Sequence, residues 1–412
     1  MRETGHRVFL AGGGTGGHLY PGLAVAEALL RRDPDTAIAF SCTEKPIDRA
    51  ILQPHGYPMT PLATRPFRLT APWTWPALAL SLVRAGNQAR RRLREFCPDV
   101  VVGLGGYGSY APVRVGQKYG AASVVLNPDI VAGRANRRLF PRADRVFCQF
   151  AETVEAVGET ARLTGCPVRP SLLAATREEG LAEFDLDPDR RTLLVTGASL
   201  GARTVNRAVV RMLRDRGLPD GWQVLHLTGH ADHGEVSAAY DDLAARATIR
   251  PYADQMGPAY AAADLAVARA GASTVAELLA TGVPAVFMPY PFHRDQHQMR
   301  QARSVEAAGA AVVVEDHPSE AAGTAARLAE TVHALASDDA RRSAMADAAR
   351  AAGRPDAADA VAAEVLALAE EAVGRRHERL AEEKRAAEAV SDAAHVDTGP
   401  NATYTQPGGS HG

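Results

Sequence analysis

The chain has 412 residues, of which 46% are hydrophobic and 23% charged, with a formal net charge of -2. That length predicts two domains, and the near-neutral balance argues against a dedicated nucleic-acid binder. Cys42, Cys97, Cys148 and Cys166 are scattered without a C-x-x-C pair, which argues against a disulfide framework or a zinc knuckle.

The first element is VFLAGGGTGGHLYPGLAVAEAL, residues 8–29. Its apolar run is too short for a signal-peptide core, and no stretch reaches the ~20 apolar residues that span a bilayer; a reducing, cytoplasmic setting is expected. A strand that ends in glycines and restarts as a helix brings backbone close to a phosphate. Gly12-x-Gly14-x-x-Gly17 satisfies the dinucleotide fingerprint, yet that fingerprint gives no role to His18, where the helix begins. Apolar runs at 37–40, 100–103, 123–126 and 145–148 continue a first strand series. The run at 100–103 leads into a second glycine loop, GLGGYGSYAP.

Within this series lies RPFRLTAPWTWPALALSLVRAGNQARRRLREF, residues 65–96. Phe67, Leu69, Trp73 and Trp75 stand among prolines and arginines, a composition suited to a lipid interface. Leu78, Leu82, Leu93 and Phe96 share a helical phase and are expected to face the core. LTGCPVRPS, residues 163–171, interrupts the pattern with prolines and a glycine and marks a seam. A second strand series follows at 193–197, 224–228, 248–252, 265–268, 285–289 and 311–314. Strands alternating with helices predict two doubly wound parallel sheets.

The second series carries a third glycine loop, GASLGA at 197–202, and RAGASTVAELLATGVP at 269–284. Strand ends of this kind are where open α/β sheets bind ligands. Glu277 has two readings: the acid of a capping box with Thr274, or a carboxylate chelating a ribose diol one turn inside a phosphate-binding helix. HLTGHADH, with His226, His230 and His233, lacks helical register and is read as a strand and loop without metal. Past residue 373 a charged helix and then a Gly/Pro/Ser-rich disordered tail are expected, neither carrying chemistry.

Together AGGGTGGHLYPGLAVAEAL, GLGGYGSYAP, TGASLGARTVN and RAGASTVAELLATGVPAVFMPYP with HRDQHQMRQA resemble the MurG family of GT-B glycosyltransferases, family 28, from about residue 7 to 368. The resemblance implies an α/β fold of two Rossmann-like domains facing across a cleft: an acceptor- and membrane-binding domain at 1–165 and a UDP-sugar domain at 166–355. A helix at 356–373 would pack back on the first domain, with the charged helix and tail at 374–412. It implies an inverting hexosyltransferase that moves GlcNAc from UDP-GlcNAc to the 4-hydroxyl of MurNAc in undecaprenyl-diphosphate-linked MurNAc-pentapeptide, lipid I to lipid II, in peptidoglycan synthesis. The implied partners are UDP-GlcNAc, the polyprenyl-diphosphate acceptor, the cytoplasmic face of the cell membrane and other cell-wall synthesis proteins.

Carried over by position, the donor site comprises Thr15, Gly16, Gly17, Asp129, Arg169, Ser199, Gly201, Tyr252, Ala253, Ala272, Ser273, Thr274, Glu277 and Gln298. The acceptor site comprises Gly14, Gly105, Gly106, Tyr107 and Asn136. Inverting transfer needs a base for the acceptor hydroxyl. His18 has the intrinsic pKa for it, with Asp129 the alternative and loop-pinning or diphosphate binding the bland role for His18. No D-x-D follows a strand, so no cofactor or protein-held metal is required, although an ion on the diphosphate stays open. This chain departs from the family where H-E-Q-N usually precedes A-G-x-x-N: it reads Leu126-Asn127-Pro128-Asp129, then Ala132-Gly133 and Asn136. Leu200 and Cys166 replace a usual glutamine and asparagine. A paralogue with another UDP-sugar or lipid acceptor, a 2-epimerase and a non-catalytic UDP-sugar scaffold are the alternatives. A Rossmann oxidoreductase fits poorly, because Glu44 comes late for its ribose acid.

Overall fold

A computed structural model of the chain describes residues 5–64, 75–198 and 201–396, with side chains left undescribed at 75, 76, 78 and 389–396. Strands β1 (Arg7–Ala11), β2 (Ala37–Thr43), β3 (Met59–Leu62), β4 (Val100–Gly103), β5 (Ala122–Asn127), β6 (Arg145–Cys148) and β7 (Ala161–Leu163) form one sheet in the order β3-β2-β1-β4-β5-β6-β7. A second sheet takes the order β10-β9-β8-β11-β12-β13. Its strands are β8 (Arg191–Thr196), β9 (Trp222–Leu227), β10 (Ala247–Arg250), β11 (Leu265–Ala268), β12 (Ala285–Phe287) and β13 (Ala311–Val313). Every pairing is parallel.

The central strands, VVVG of β4 and ASVVLN of β5 among them, are buried on both faces, which is why they read as unbroken apolar runs. The two strands absent from the expected series are the edges of the first sheet. β3 carries Pro61, which a central ladder would reject, and β7 is three residues long.

Helix α1 (Gly16–Arg32) covers one face of the first sheet. The final helix, Ala357–Val396, returns from the second half and packs on α1, with Val361, Val365 and Leu368 in the same buried cluster as Leu23 and Val25. Each such side chain contributes roughly 1.5–3 kcal/mol through burial. The chain therefore crosses between the halves twice, and the two crossings touch. A Cβ added at Gly165 would lie 2.8 Å from the Arg354 Cβ.

Helix α2 (Pro46–Leu52) follows β2, and α3 (Trp75–Phe96) follows β3. In α3 the buried face runs Ser81, Ala85, Ala89, Leu93 and Phe96. Leu82, expected in the core, is 44% exposed beside Leu80 and Val83. Helical phase had aligned it with Leu93, but the buried row Ser81, Ala85, Ala89, Leu93 runs in steps of four and winds around the helix, so at the level of Leu82 the covered side is that of Ser81. Phe67, Leu69 and Trp73 lie outside the described residues, as does the side chain of Trp75. Among the described residues no helix is long and apolar enough to cross a membrane.

Candidate active site

In an open parallel sheet the ligand crevice lies where neighbouring strands send their chains to opposite faces. That point falls between β1 and β4 in the first sheet and between β8 and β11 in the second. The segments leaving these four strands are the three glycine loops and the turn at 269–271. Each sheet thus contributes two of the four glycine-bearing segments.

The first and second loops interlock around His18. Residues 104–109 lead from β4 towards α4 (Tyr110–Lys118), and Gly105 (φ +98°) meets the imidazole face; a Cβ there would fall 2.8 Å from His18 Cδ2. The first loop is pinned from behind by Asp48 of α2, which is fully buried. Its carboxylate accepts from Gly14 N at 2.8 Å, Thr43 N at 2.8 Å and Thr43 Oγ1 at 2.7 Å. Lys45 Nζ holds the Gly14 carbonyl at 2.8 Å. Nothing in the sequence pattern singled out Asp48, because its partners are backbone groups of other elements.

His18 Nδ1 lies 3.0 Å from Thr15 Oγ1, and the ring also bonds to the Gly13 carbonyl. With its proton on the nitrogen facing these oxygens, the other nitrogen keeps a lone pair. Burial lowers the His18 pKa, against the opposing pull of Asp129, Gly13 and Asp48, so the ring is neutral near pH 7. Asp129, after β5, is raised by burial and pulled back by His297 and His18.

A cavity of about 350 Å³ opens between the sheets. It gathers Thr15, Gly16, Gly17 and His18 from the first half and Arg169 from the seam, with Asp129 beside them. From the second half come Tyr252, Ala253, Ala272, Ser273, Thr274, Glu277 and Gln298. Gly14, Gly105, Gly106, Tyr107, Asn136 and Gly201 stand outside its lining. Asn136, on α5 (Arg134–Leu139), is buried and donates its amide to Leu126 O and Asn127 Oδ1, both at 3.0 Å. Ser199 and Leu200 lie outside the described residues. Gln298 Oε1 accepts from Tyr290 N at 2.9 Å, which fixes the loop after β12.

The capping-box reading of Glu277 does not hold. Helix Ala272–Thr281 has Gly271 as its N-cap and no side-chain cap bond, so Thr274 sits inside the helix. Glu277 instead turns towards the cavity floor and accepts from the buried Tyr260 hydroxyl at 2.8 Å. Tyr260, like Asp48, carried no sequence signal. His226 is a satisfied core histidine, held by Tyr240 and Asn206. Among the described residues no group of three or more His, Cys, Asp or Glu is arranged to hold a metal ion.

Burial pushes Glu277 up to about 7, with the Tyr260 hydrogen bond and the Arg169 charge opposing it. A raised carboxyl costs stability as pH climbs from its unfolded value through about 7, since the folded state resists the charge. Ligand-free Glu277→Gln is therefore expected to melt higher than wild type at pH 8 and nearly alike at pH 5. A carboxylate chelating a diol must be ionised, so on the ribose-binding reading of Glu277 wild-type UDP affinity is expected to rise between pH 6 and 8 relative to the Gln variant. Parallel calorimetric pH profiles for the two proteins would remove the carboxylate from nucleotide binding.

Two Rossmann-like sheets that turn glycine-bearing segments and a helix N-terminus onto one cleft define the GT-B class of nucleotide-sugar enzymes. The sequence matches the glycosyltransferase family 28 N-terminal domain over residues 8–148 and the family 28 C-terminal domain over residues 192–361. Two relatives carry the name UDP-N-acetylglucosamine--N-acetylmuramyl-(pentapeptide) pyrophosphoryl-undecaprenol N-acetylglucosamine transferase. The protein of Salinibacter ruber is 37% identical over 372 residues, covering 90% of this chain and 99% of its own. That of Thermodesulfovibrio yellowstonii is 36% identical, covering 75% and 85%. The crystal structure of Acinetobacter baumannii MurG superposes with a TM-score of 0.68 at 25% identity, covering 88% of this chain and 99% of that one. The chain belongs to glycosyltransferase family 28, in its MurG group.

Proposed function

We propose that this protein transfers GlcNAc, with inversion, from UDP-GlcNAc to the 4-hydroxyl of MurNAc in undecaprenyl-diphosphate-linked MurNAc-pentapeptide. The observation that carries this reading is the meeting of His18 with Glu277, Arg169 and the N-terminus of helix Ala272–Thr281 in one cavity at the paired sheet crevices. The free N–H groups of that helix and the Arg169 guanidinium meet the charge that develops on departing UDP. Loss of one such donor costs about 10²–10³ in rate. These groups supply the neutralisation without a metal held by the protein. Glu277 holds the ribose, the 252–253 turn lies against uracil, and the neutral imidazole of His18 takes the acceptor proton.

UDP release with lipid I as acceptor, compared across UDP-GlcNAc, UDP-GalNAc and UDP-Glc, tests the reading. Turnover with UDP-GlcNAc alone is expected. UDP binding without turnover on any of the three would leave a nucleotide-sugar-binding scaffold. The departure at 126–129 favours one further reading. Asn127 is buried and bonded to the Asp129 carbonyl at 2.7 Å, so Pro128 and Asp129 face the cavity. Transfer to a lipid acceptor other than lipid I would support a paralogue.

A polyprenyl acceptor requires reach to a bilayer. Leu80, Leu82 and Val83 are 51%, 44% and 60% exposed on the first turns of α3, which also carries Arg84, Arg90 and Arg91. This apolar, arginine-flanked stretch docks on the anionic inner face of the membrane. Leu80→Ser with Val83→Ser is expected to reduce sedimentation with anionic vesicles while UDP affinity holds. Undiminished sedimentation would exclude this surface as the anchor.

A further inference from the structure

Inverting transfer brings together a nucleophile and an anomeric carbon held by different halves of the protein. Reaction needs them about 3–3.5 Å apart, and a 1 Å misplacement can cost about 10²-fold. Something must therefore set the separation of the halves.

The first turns of α1 touch the nucleotide half on both sides of His18. At position 17, the carbonyl of Gly17 accepts from Ser273 Oγ at 3.3 Å. At position 20, Tyr20 Oη lies 3.1 Å from Tyr252 Oη, on the turn assigned to uracil. The Arg169 guanidinium sits 4.6 Å above the Tyr20 ring. We infer that Tyr20 is a positioning residue that keys the two halves together: its hydroxyl on Tyr252 and its ring beneath Arg169 set His18 at a fixed distance from the bound sugar nucleotide. This inference rests on the transfer reaction proposed above.

A structural tyrosine that only satisfied its own hydroxyl would need no partner from across the cleft, since Tyr20 is only half-buried. Its partner is a second phenol, 232 residues away in sequence, at the cavity wall. Burial and the Tyr252 bond push the Tyr20 phenol upward, so it stays protonated and able to donate across the working pH range. The guanidinium that covers its ring is the one placed to meet the diphosphate. Nucleotide binding and closure therefore draw on the same side chain.

The test is a double-mutant cycle with two readouts. Tyr20→Phe and Tyr252→Phe are each expected to lower kcat about fivefold, the worth of one neutral hydrogen bond. The double variant should lose no more than either single, with Tm near wild type, and Tyr20→Phe should leave KM for UDP-GlcNAc near wild type. Spin labels at Arg49 of α2 and Arg214, in a Cys97→Ser background with UDP bound, should give a narrow distance distribution. Either single variant should broaden it, and the double should broaden it no further. Additive losses, a loss confined to KM, or unchanged distance distributions overturn the proposal. Absence of transfer in the wild type would defeat the functional reading alone, because the distance measurement still decides whether Tyr20 keys the halves.

Discussion

His18→Ala lowers kcat by about 10²–10⁴, the range for a positioned acid–base group, while UDP affinity stays at the wild-type value. Glu277, Arg169 and the N-terminus of helix Ala272–Thr281, the groups proposed to hold UDP, lie on the seam and the second half, whereas the imidazole is seated by Thr15 and the glycine loops. Burial holds the ring of the ligand-free protein below its ordinary pKa, which places the acid limb of the wild-type kcat/KM profile for the acceptor below pH 6.5. Rate falls as pH drops through that value, because the protonated ring cannot accept. In the Ala variant this limb disappears. A rise in acceptor KM with kcat preserved at saturation would instead make His18 a diphosphate ligand and pass the base role to Asp129.

Asp48→Ala costs about 2–5 kcal/mol of unfolding free energy. Each buried donor left without a partner costs roughly 1–3 kcal/mol, and this carboxylate serves Gly14 N and both donors of Thr43. Some of that loss is recovered because the Thr43 hydroxyl can turn. Denaturant titration measures it. Asp48→Asn, which keeps one acceptor oxygen, should lose less. Because the same carboxylate pins the loop that seats His18, kcat falls in both variants even under conditions where the protein is fully folded. Stability loss with unimpaired kcat would mean that the loop keeps its shape without Asp48.

The four glycine-bearing segments and the central strands were legible because each is a local signal: an apolar run ending in residues that need close backbone approach. Their meeting in one cleft follows from the strand order, which no single segment encodes. What could not be read was everything made of long-range partners. Asp48 is a carboxylate in an ordinary helix until β2 and the first loop close on it. Tyr260 is an apolar-run aromatic until Glu277 turns towards it. Leu82 and Leu93 share a phase, but the buried row winds around the helix in four-residue steps and reaches Leu93 after passing Leu82 on the Ser81 side. Glu277 and Thr274 had the spacing of a cap, but the helix begins at Gly271 and takes that reading away.

The return of the last helix onto α1 also sets an order of assembly. The nucleotide half is one continuous stretch of chain, complete by about residue 352, whereas the first half needs residues 357–372 to cover Leu23 and its neighbours. Domains emerge from the ribosome amino end first. Here the half that emerges first is the half that is finished last, and α1, which carries His18, keeps an uncovered apolar flank until residues 357–372 have emerged. A chain cut off before residue 357 would hold every glycine loop and the whole second sheet, yet lack the support beneath the helix that carries His18.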